Sequence, residues 1–219
     1  MIDGAIDGKI DGVIDWQTRL IQRLHGTTAP DAQTPFNIAG IPPEQYAQVE
    51  HLIPAQRTRA AVLIPIIRRP EGLTVLFTQR ATHLRRHAGQ ISFPGGRMES
   101  FDSGPLDTAL RETEEEIGLS RQHVQLLGYL PPQLVFTGYC IAPVAGLVTP
   151  GFDLQLDASE VAEVFEAPLS HLLDPAHHQS RERQMGTITA QVYDIPYGER
   201  RIWGATAGIL MSLYRLLKD

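Results

Sequence analysis

Three glutamates in the run Arg111-Glu112-Thr113-Glu114-Glu115-Glu116 are spaced to work together. Residues three or four apart share one side of a helix, so Glu112, Glu115 and Glu116 project together while Glu114 points elsewhere. Like charges so placed repel, at about a few tenths of a kcal/mol per pair in an isolated helix. The same hard oxygen donors suit Mg²⁺ or Mn²⁺, which take a few carboxylates and complete their shell with water and substrate phosphate. Arg111, four residues before Glu115, can hold that side chain in place. A basic group lies just upstream, in Arg80, Arg85, Arg86, His87 and Arg97. The planar guanidinium fork matches phosphate oxygens. Carboxylates for a metal beside arginines for phosphate point to metal-assisted hydrolysis of a phosphate compound.

These side chains need a helix behind a tight turn. Pro105 fits a first helical turn, where its missing N–H costs nothing, and Asp102 or Ser103 is placed to cap it. Leu106, Ala109, Leu110 and Ile117 recur at helical spacing as a core stripe, and Gly118 is a natural stop. Upstream, Gly95-Gly96 make the turn. Strands are expected at 60–68 (AAVLIPIIR) and 73–79, joined by the turn Arg69-Pro70-Glu71-Gly72. Further strands fit 124–130 and 141–148. Residues 160–166 alternate apolar and acidic, and 168–173 read as a helical turn. A last hairpin fits 191–195 and 201–203. A closing amphipathic helix at 205–218 carries Ile209, Leu210, Leu213, Leu216 and Leu217 on its apolar side. The expected class is α/β.

Residues 95–119, GGRMESFDSGPLDTALRETEEEIGL, resemble the Nudix box, G-x5-E-x7-R-E-U-x-E-E-x-G-U with U aliphatic. Counting back from Arg111 puts the first glutamate position on Ser103 and the glycine position on Arg97. The loop after Gly96 is therefore one residue longer, and Asp102 or Glu99 is the candidate stand-in. Thr113 fills an aliphatic position. Residues 76–96, LFTQRATHLRRHAGQISFPGG, resemble the added motif of the coenzyme A diphosphatase branch of that family. Thr78, Arg80, Ala81, Arg85, Gly89, Phe93, Pro94, Gly95 and Gly96 fall in register, with Phe77 in place of a leucine. Together the two motifs cover about a fifth of the chain.

The resemblance implies a Nudix fold, a mixed β-sheet sandwiched between α-helices. It implies Glu112, Glu115 and Glu116 as ligands of Mg²⁺ or Mn²⁺, and Arg80, Arg85, Gly95, Gly96 and Arg97 as substrate-binding. Arg111 and Glu115 are catalytic candidates within the box. A general base from outside it is expected at Glu160 or Glu163, Glu160 slightly preferred. The implied reaction splits the diphosphate of coenzyme A or a derivative into 3′,5′-ADP and (acyl-)4′-phosphopantetheine. A Nudix hydrolase of another nucleoside diphosphate derivative, such as ADP-ribose, is the second reading. A Nudix-fold binding protein without hydrolysis is the third, disfavoured because all three box glutamates are present.

The remaining sequence sets limits. The chain has 219 residues, 42% of them hydrophobic, which predicts a globular protein with a sizeable core. A net charge of −6 argues against nucleic-acid binding, and no apolar run reaches membrane-spanning length. No secretory pattern opens the sequence, so cytoplasm is the default compartment. Cys140 is the only cysteine and reads as a core thiol. His83 and His87 have the spacing of a zinc pair but lack H-E-x-x-H. The tripeptide Ile-Asp-Gly recurs at 2–4, 6–8 and 10–12. Its glycines weaken a helix, so 1–43 is read as a leader, partly helical from Ile14 to Leu24, and an arm. The Nudix domain is then 44–219. The expected partner is a small molecule, and a second copy of the chain is a candidate.

Overall fold

The structure is a computed structural model and describes residues 9–10, 13–185 and 188–218. The repeats at 2–4 and 6–8, and two residues of the third, lie outside the described residues. In chain order the elements are β1 (Lys9–Ile10), β2 (Val13–Ile14), α1 (Trp16–Leu24), β3 (Asn37–Ile38), α2 (Tyr46–Val49), β4 (Thr58–Arg69), β5 (Gly72–Arg80), β6 (Ile91–Ser92), β7 (Gly95–Arg97) and α3 (Pro105–Ile117). There follow β8 (Val124–Tyr129), β9 (Gln133–Leu134), β10 (Tyr139–Val148), β11 (Val161–Pro168), α4 (Leu169–Leu172), β12 (Gln179–Met185), β13 (Ile188–Tyr197), β14 (Arg200–Trp203) and α5 (Gly204–Lys218).

A nine-stranded mixed sheet runs β11-β5-β4-β10-β9-β3, with β6 on β5, β7 on β4 and β8 on β10. β4 and β10 are parallel, as are β3 and β9, and the other pairs are antiparallel. β4 is buried on both faces, which explains its nearly continuous apolar sequence. Its alternate residues divide between two cores. Ala61, Leu63 and Ile67 meet Ala109, Leu110 and Ile117 of α3 on one face. Ile64 and Ile66 join Phe77, with Leu210, Leu213 and Leu217 of α5, on the other. This is the expected sandwich. β12, β13 and β14 form a separate three-stranded sheet.

The segment 1–43 does more than lead into the domain. Asp15 caps α1, its carboxylate accepting from the backbone N–H groups of Gln17 and Thr18. Leu20 and Leu24 of α1 are fully buried in the α5-side core. β3 then adds a strand to the main sheet. Within the segment read as an arm, Ile38 and Ile41 also pack inward.

The expected strands and closing helix are present, with small shifts at their ends. Cys140 is only partly buried, against the cluster containing Ile38 and Leu134, and burial pushes its thiol up.

Candidate active site

α3 begins where Pro105 predicts, but neither Asp102 nor Ser103 caps it. Gly104 is the N-cap residue and gives no side-chain hydrogen bond. The carboxylate of Asp102 is engaged elsewhere. It accepts from Arg111 Nε at 2.9 Å, Arg111 Nη2 at 2.9 Å and Thr108 Oγ1 at 2.9 Å. Its side chain is 1% exposed, and the Arg111 guanidinium holds its carboxyl well below the usual range. Of the two acidic loop residues, Asp102 is the one bonded to Arg111. The Glu99 side chain is half exposed and lies 3.9 Å from Arg97 Nε. At the far end Gly118 closes the helix with φ 70°, a left-handed conformation that glycine adopts without penalty.

Arg111 is the hub of this end of α3. Besides Asp102, its Nη1 donates to Glu112 Oε1 at 2.8 Å and Glu115 Oε2 at 3.0 Å. Its Nη2 also donates to the carbonyl of Arg97 at 3.1 Å. The guanidinium therefore ties helix, loop and glycine turn together. Thr113, at the aliphatic position of the box, is fully buried and donates its hydroxyl to the Ala109 carbonyl at 2.6 Å.

The glycine turn is set by the carboxylates it faces. β7 pairs with β4 through Gly95↔Val62 and Gly96↔Ala61. A Cβ on Gly96 would lie 2.4 Å from Glu112 Oε2, so the Glu112 carboxylate rests directly on this backbone. A Cβ on Gly95 would strike the Ala61 carbonyl at 2.3 Å. Gly95 also donates its N–H to Glu116 Oε2 at 3.1 Å. Two adjacent glycines thus allow two carboxylates to approach one strand.

Glu116 is the most buried carboxylate of the group, with 6% of its side chain exposed. Burial raises its pKa to about 8, opposed by the Gly95 N–H and Arg80, and reinforced by Glu160 and Glu112. Burial also raises Glu112, with Arg111 opposing and Glu115 and Glu160 reinforcing. Glu160 therefore acts electrostatically on both box carboxylates. It precedes β11, whose Val161 pairs with Arg80, and its carbonyl accepts from Ala81 N–H at 2.8 Å. Glu163 sits past a bulge in β11 and pairs with Arg200 of β14. The two outside candidates are thus separated by fold.

Arg80 ends β5 with Nη1 3.9 Å from Glu116 Oε1. Its Nε is buried and has no hydrogen-bond partner among the described residues. Arg85 and Arg86 lie exposed in the loop between β5 and β6, with no ion pair among the described residues. Arg97 contributes its carbonyl to Arg111. Its side chain is exposed, in register with Ala60, whose row of β4 faces away from α3. Glu115 is 60% exposed and turned towards Arg111. Among the described residues no three acidic or imidazole groups already stand in a closed ligand set. The donors nevertheless fit a divalent cation. Glu112 and Glu116 are hard oxygen donors whose mutual repulsion and burial a cation would offset. A cavity of about 560 Å³ between the 37–46 segment, β13 and α5 holds none of these residues.

The NUDIX domain model matches residues 57–185, more than half of the chain. The chain is 42% identical over 171 residues to the uncharacterized Nudix hydrolase NudL of Yersinia pestis (strain Pestoides F) and to that of Yersinia pseudotuberculosis serotype O:1b (strain IP 31758). Each alignment spans 78% of this chain and 85% of the relative. Among solved structures, a Nudix hydrolase from M. smegmatis, RenU, is similar with a TM-score of 0.46 and 20% identity, over 53% of this chain and 73% of that one. The chain belongs to the Nudix family and is a Nudix hydrolase. Hydrolases of this family generally use divalent metal ions and act on small molecules. No helix among the described residues is long and apolar enough to cross a membrane.

Proposed function

We propose that this Nudix hydrolase cleaves the diphosphate of coenzyme A or a derivative, releasing 3′,5′-ADP and (acyl-)4′-phosphopantetheine. The observation that carries the proposal is Arg80. It belongs to the motif running from Leu76 into the glycine turn, and it stands beside Glu116 with a buried, unused Nε–H. A buried donor without a partner costs about 1–3 kcal/mol, which a phosphate oxygen would recover. Arg85 extends this positive charge along the exposed loop, where a further phosphate of the substrate can be met.

Glu112 and Glu116, with Glu115, are the proposed ligands of Mg²⁺ or Mn²⁺. Such an ion, when bound, neutralises charge on the diphosphate and lowers the pKa of water. Arg111 positions Glu112 and Glu115 and is itself fixed by Asp102. Gly95 and Gly96 keep the turn close to the carboxylates. Glu160 is the proposed proton acceptor for the attacking water, because it is the outside glutamate that bears on Glu112 and Glu116. Glu163 is assigned to its ion pair with Arg200. Residues 44–219 form the proposed catalytic domain with contributions from α1 and β3, the cytoplasm is its proposed compartment, and a homodimer is a candidate assembly.

A substrate panel with Mg²⁺ and Mn²⁺, with products identified by mass, tests the proposal. Release of 3′,5′-ADP from coenzyme A, with weak activity on ADP-ribose, is expected. The reverse order would overturn the substrate assignment and favour another nucleoside diphosphate derivative. Glu116→Gln is expected to lower turnover at least a hundredfold, and unchanged turnover would overturn the metal site.

A further inference from the structure

The loop between the glycine turn and α3 carries Phe101, which is 73% exposed. A single exposed apolar residue means little by itself. Phe101 differs in what stands behind and beside it. The Arg111 guanidinium lies over its ring, 5.5 Å from the centroid. That same guanidinium bonds Glu112 and Glu115, so the ring borders the carboxylate cluster. Arg111 is held by five hydrogen bonds, two of them to the buried Asp102. The loop is pinned as well. Glu99 N–H donates to Asp102 Oδ2 at 2.8 Å, and Asp102 N–H donates to the Glu99 carbonyl at 3.2 Å. One face of the ring is therefore backed by a fixed cation, and the ring is otherwise largely open to solvent at the rim of the site.

We infer that Phe101 is a stacking platform for the base of a nucleoside diphosphate whose phosphates lie at the box carboxylates. The inference rests on the reading that the site takes a nucleoside diphosphate compound, and it holds whichever group is attached to the second phosphate. A flat, rigidly mounted aromatic face receives a base without ordering a flexible side chain, and every base offers a π-face to it. Phe101 acts in binding, whereas Arg111 behind it positions Glu112 and Glu115. Loss of the ring should therefore weaken recognition of the base and leave recognition of phosphate alone.

The test compares two inhibitors of the Mg²⁺-loaded enzyme, ADP and inorganic pyrophosphate, on whichever nucleoside diphosphate substrate the panel shows to be turned over. For Phe101→Ala, the inhibition constant for ADP should rise about tenfold, about 1.4 kcal/mol, while that for pyrophosphate stays within twofold. The KM of the substrate should rise in parallel, with kcat changed less than threefold. Phe101→Trp should keep ADP inhibition, and Phe101→Leu, apolar without a π-face, should lose most of it. Equal weakening of both inhibitors, or a fall in kcat together with the melting temperature, would overturn the inference and make Phe101 a prop for Arg111. Unchanged ADP inhibition in the alanine variant would overturn it outright. Failure to hydrolyse coenzyme A would instead count against the substrate assignment alone, because the inhibitor comparison does not use it.

Discussion

Replacing Glu116 by glutamine should inactivate the enzyme and, with divalent cations chelated, stabilise it. Glu116 is buried beside Glu112 and Glu160, and its folded pKa is about 8, against about 4.5 in an unfolded chain. Between those values the folded protein holds a proton that the unfolded chain has released. Stability therefore falls as pH rises through the window from about 4.5 to 8. At about 1.4 kcal/mol per pH unit, the cost of ionising Glu116 in the fold is bounded at about 5 kcal/mol. Arg80 loses its ion partner in the variant and local relaxation softens the burial cost, so a gain of about 2 kcal/mol is expected. For a chain of this size that is a melting temperature higher by about 4–8 °C. Glutamine keeps the side-chain shape and an oxygen for the Gly95 N–H. The assay is thermal unfolding in EDTA at pH 5, 7 and 9, repeated with Mg²⁺. The variant and the parent should coincide at pH 5 and diverge by pH 9, and only the parent should gain strongly from Mg²⁺. A variant less stable at pH 9 in EDTA, or a difference independent of pH, would refute the electrostatic reasoning.

Gly96→Ala should lower kcat at least a hundredfold, since its Cβ would press on Glu112 Oε2, and the loss should appear as weaker Mg²⁺ activation in a metal titration. Glu160→Gln should reduce kcat at least a hundredfold. Glu163→Gln should leave kcat near the parent's, and equal losses in the two variants would contradict the assignment. Asp102→Ala should cost about 3 kcal/mol at neutral pH by chemical denaturation, because it strips a buried partner from Arg111. Its folded pKa is depressed, so that contribution is present above the unfolded pKa of about 4 and is lost as pH falls below it. A constant difference down to pH 2 would contradict this.

The apolar runs at 60–68 and 141–148 were legible as strands, because strands buried on both faces leave little room for polar residues, but their parallel pairing was not. The closing helix was legible from its stripe. β12 was not: Arg181-Glu182-Arg183-Gln184 is exposed and carries no alternation to read. β6 and β7 are two and three residues long, too short for any periodic signal. The box glutamates were legible from spacing, whereas the capping residue was misjudged because Asp102 is taken by a distant arginine and Thr108. The choice between Glu160 and Glu163 was hidden for a different reason. The bulge between Val161 and Glu163 breaks the alternation that would have assigned their faces, and only the pairing with Arg200 separates them.

The stretch that identifies the family is not the unit that folds. Residues 57–185 include the box helix and most of the sheet, yet one face of that sheet is covered from outside them. Leu20 and Leu24 of α1 come from before the match, and Leu210, Leu213 and Leu217 of α5 from beyond it. A fragment trimmed to 57–185 would retain every proposed metal ligand and expose Ile64, Ile66 and Phe77 to water. It would be expected to aggregate rather than catalyse, so boundaries for expression belong outside α1 and α5.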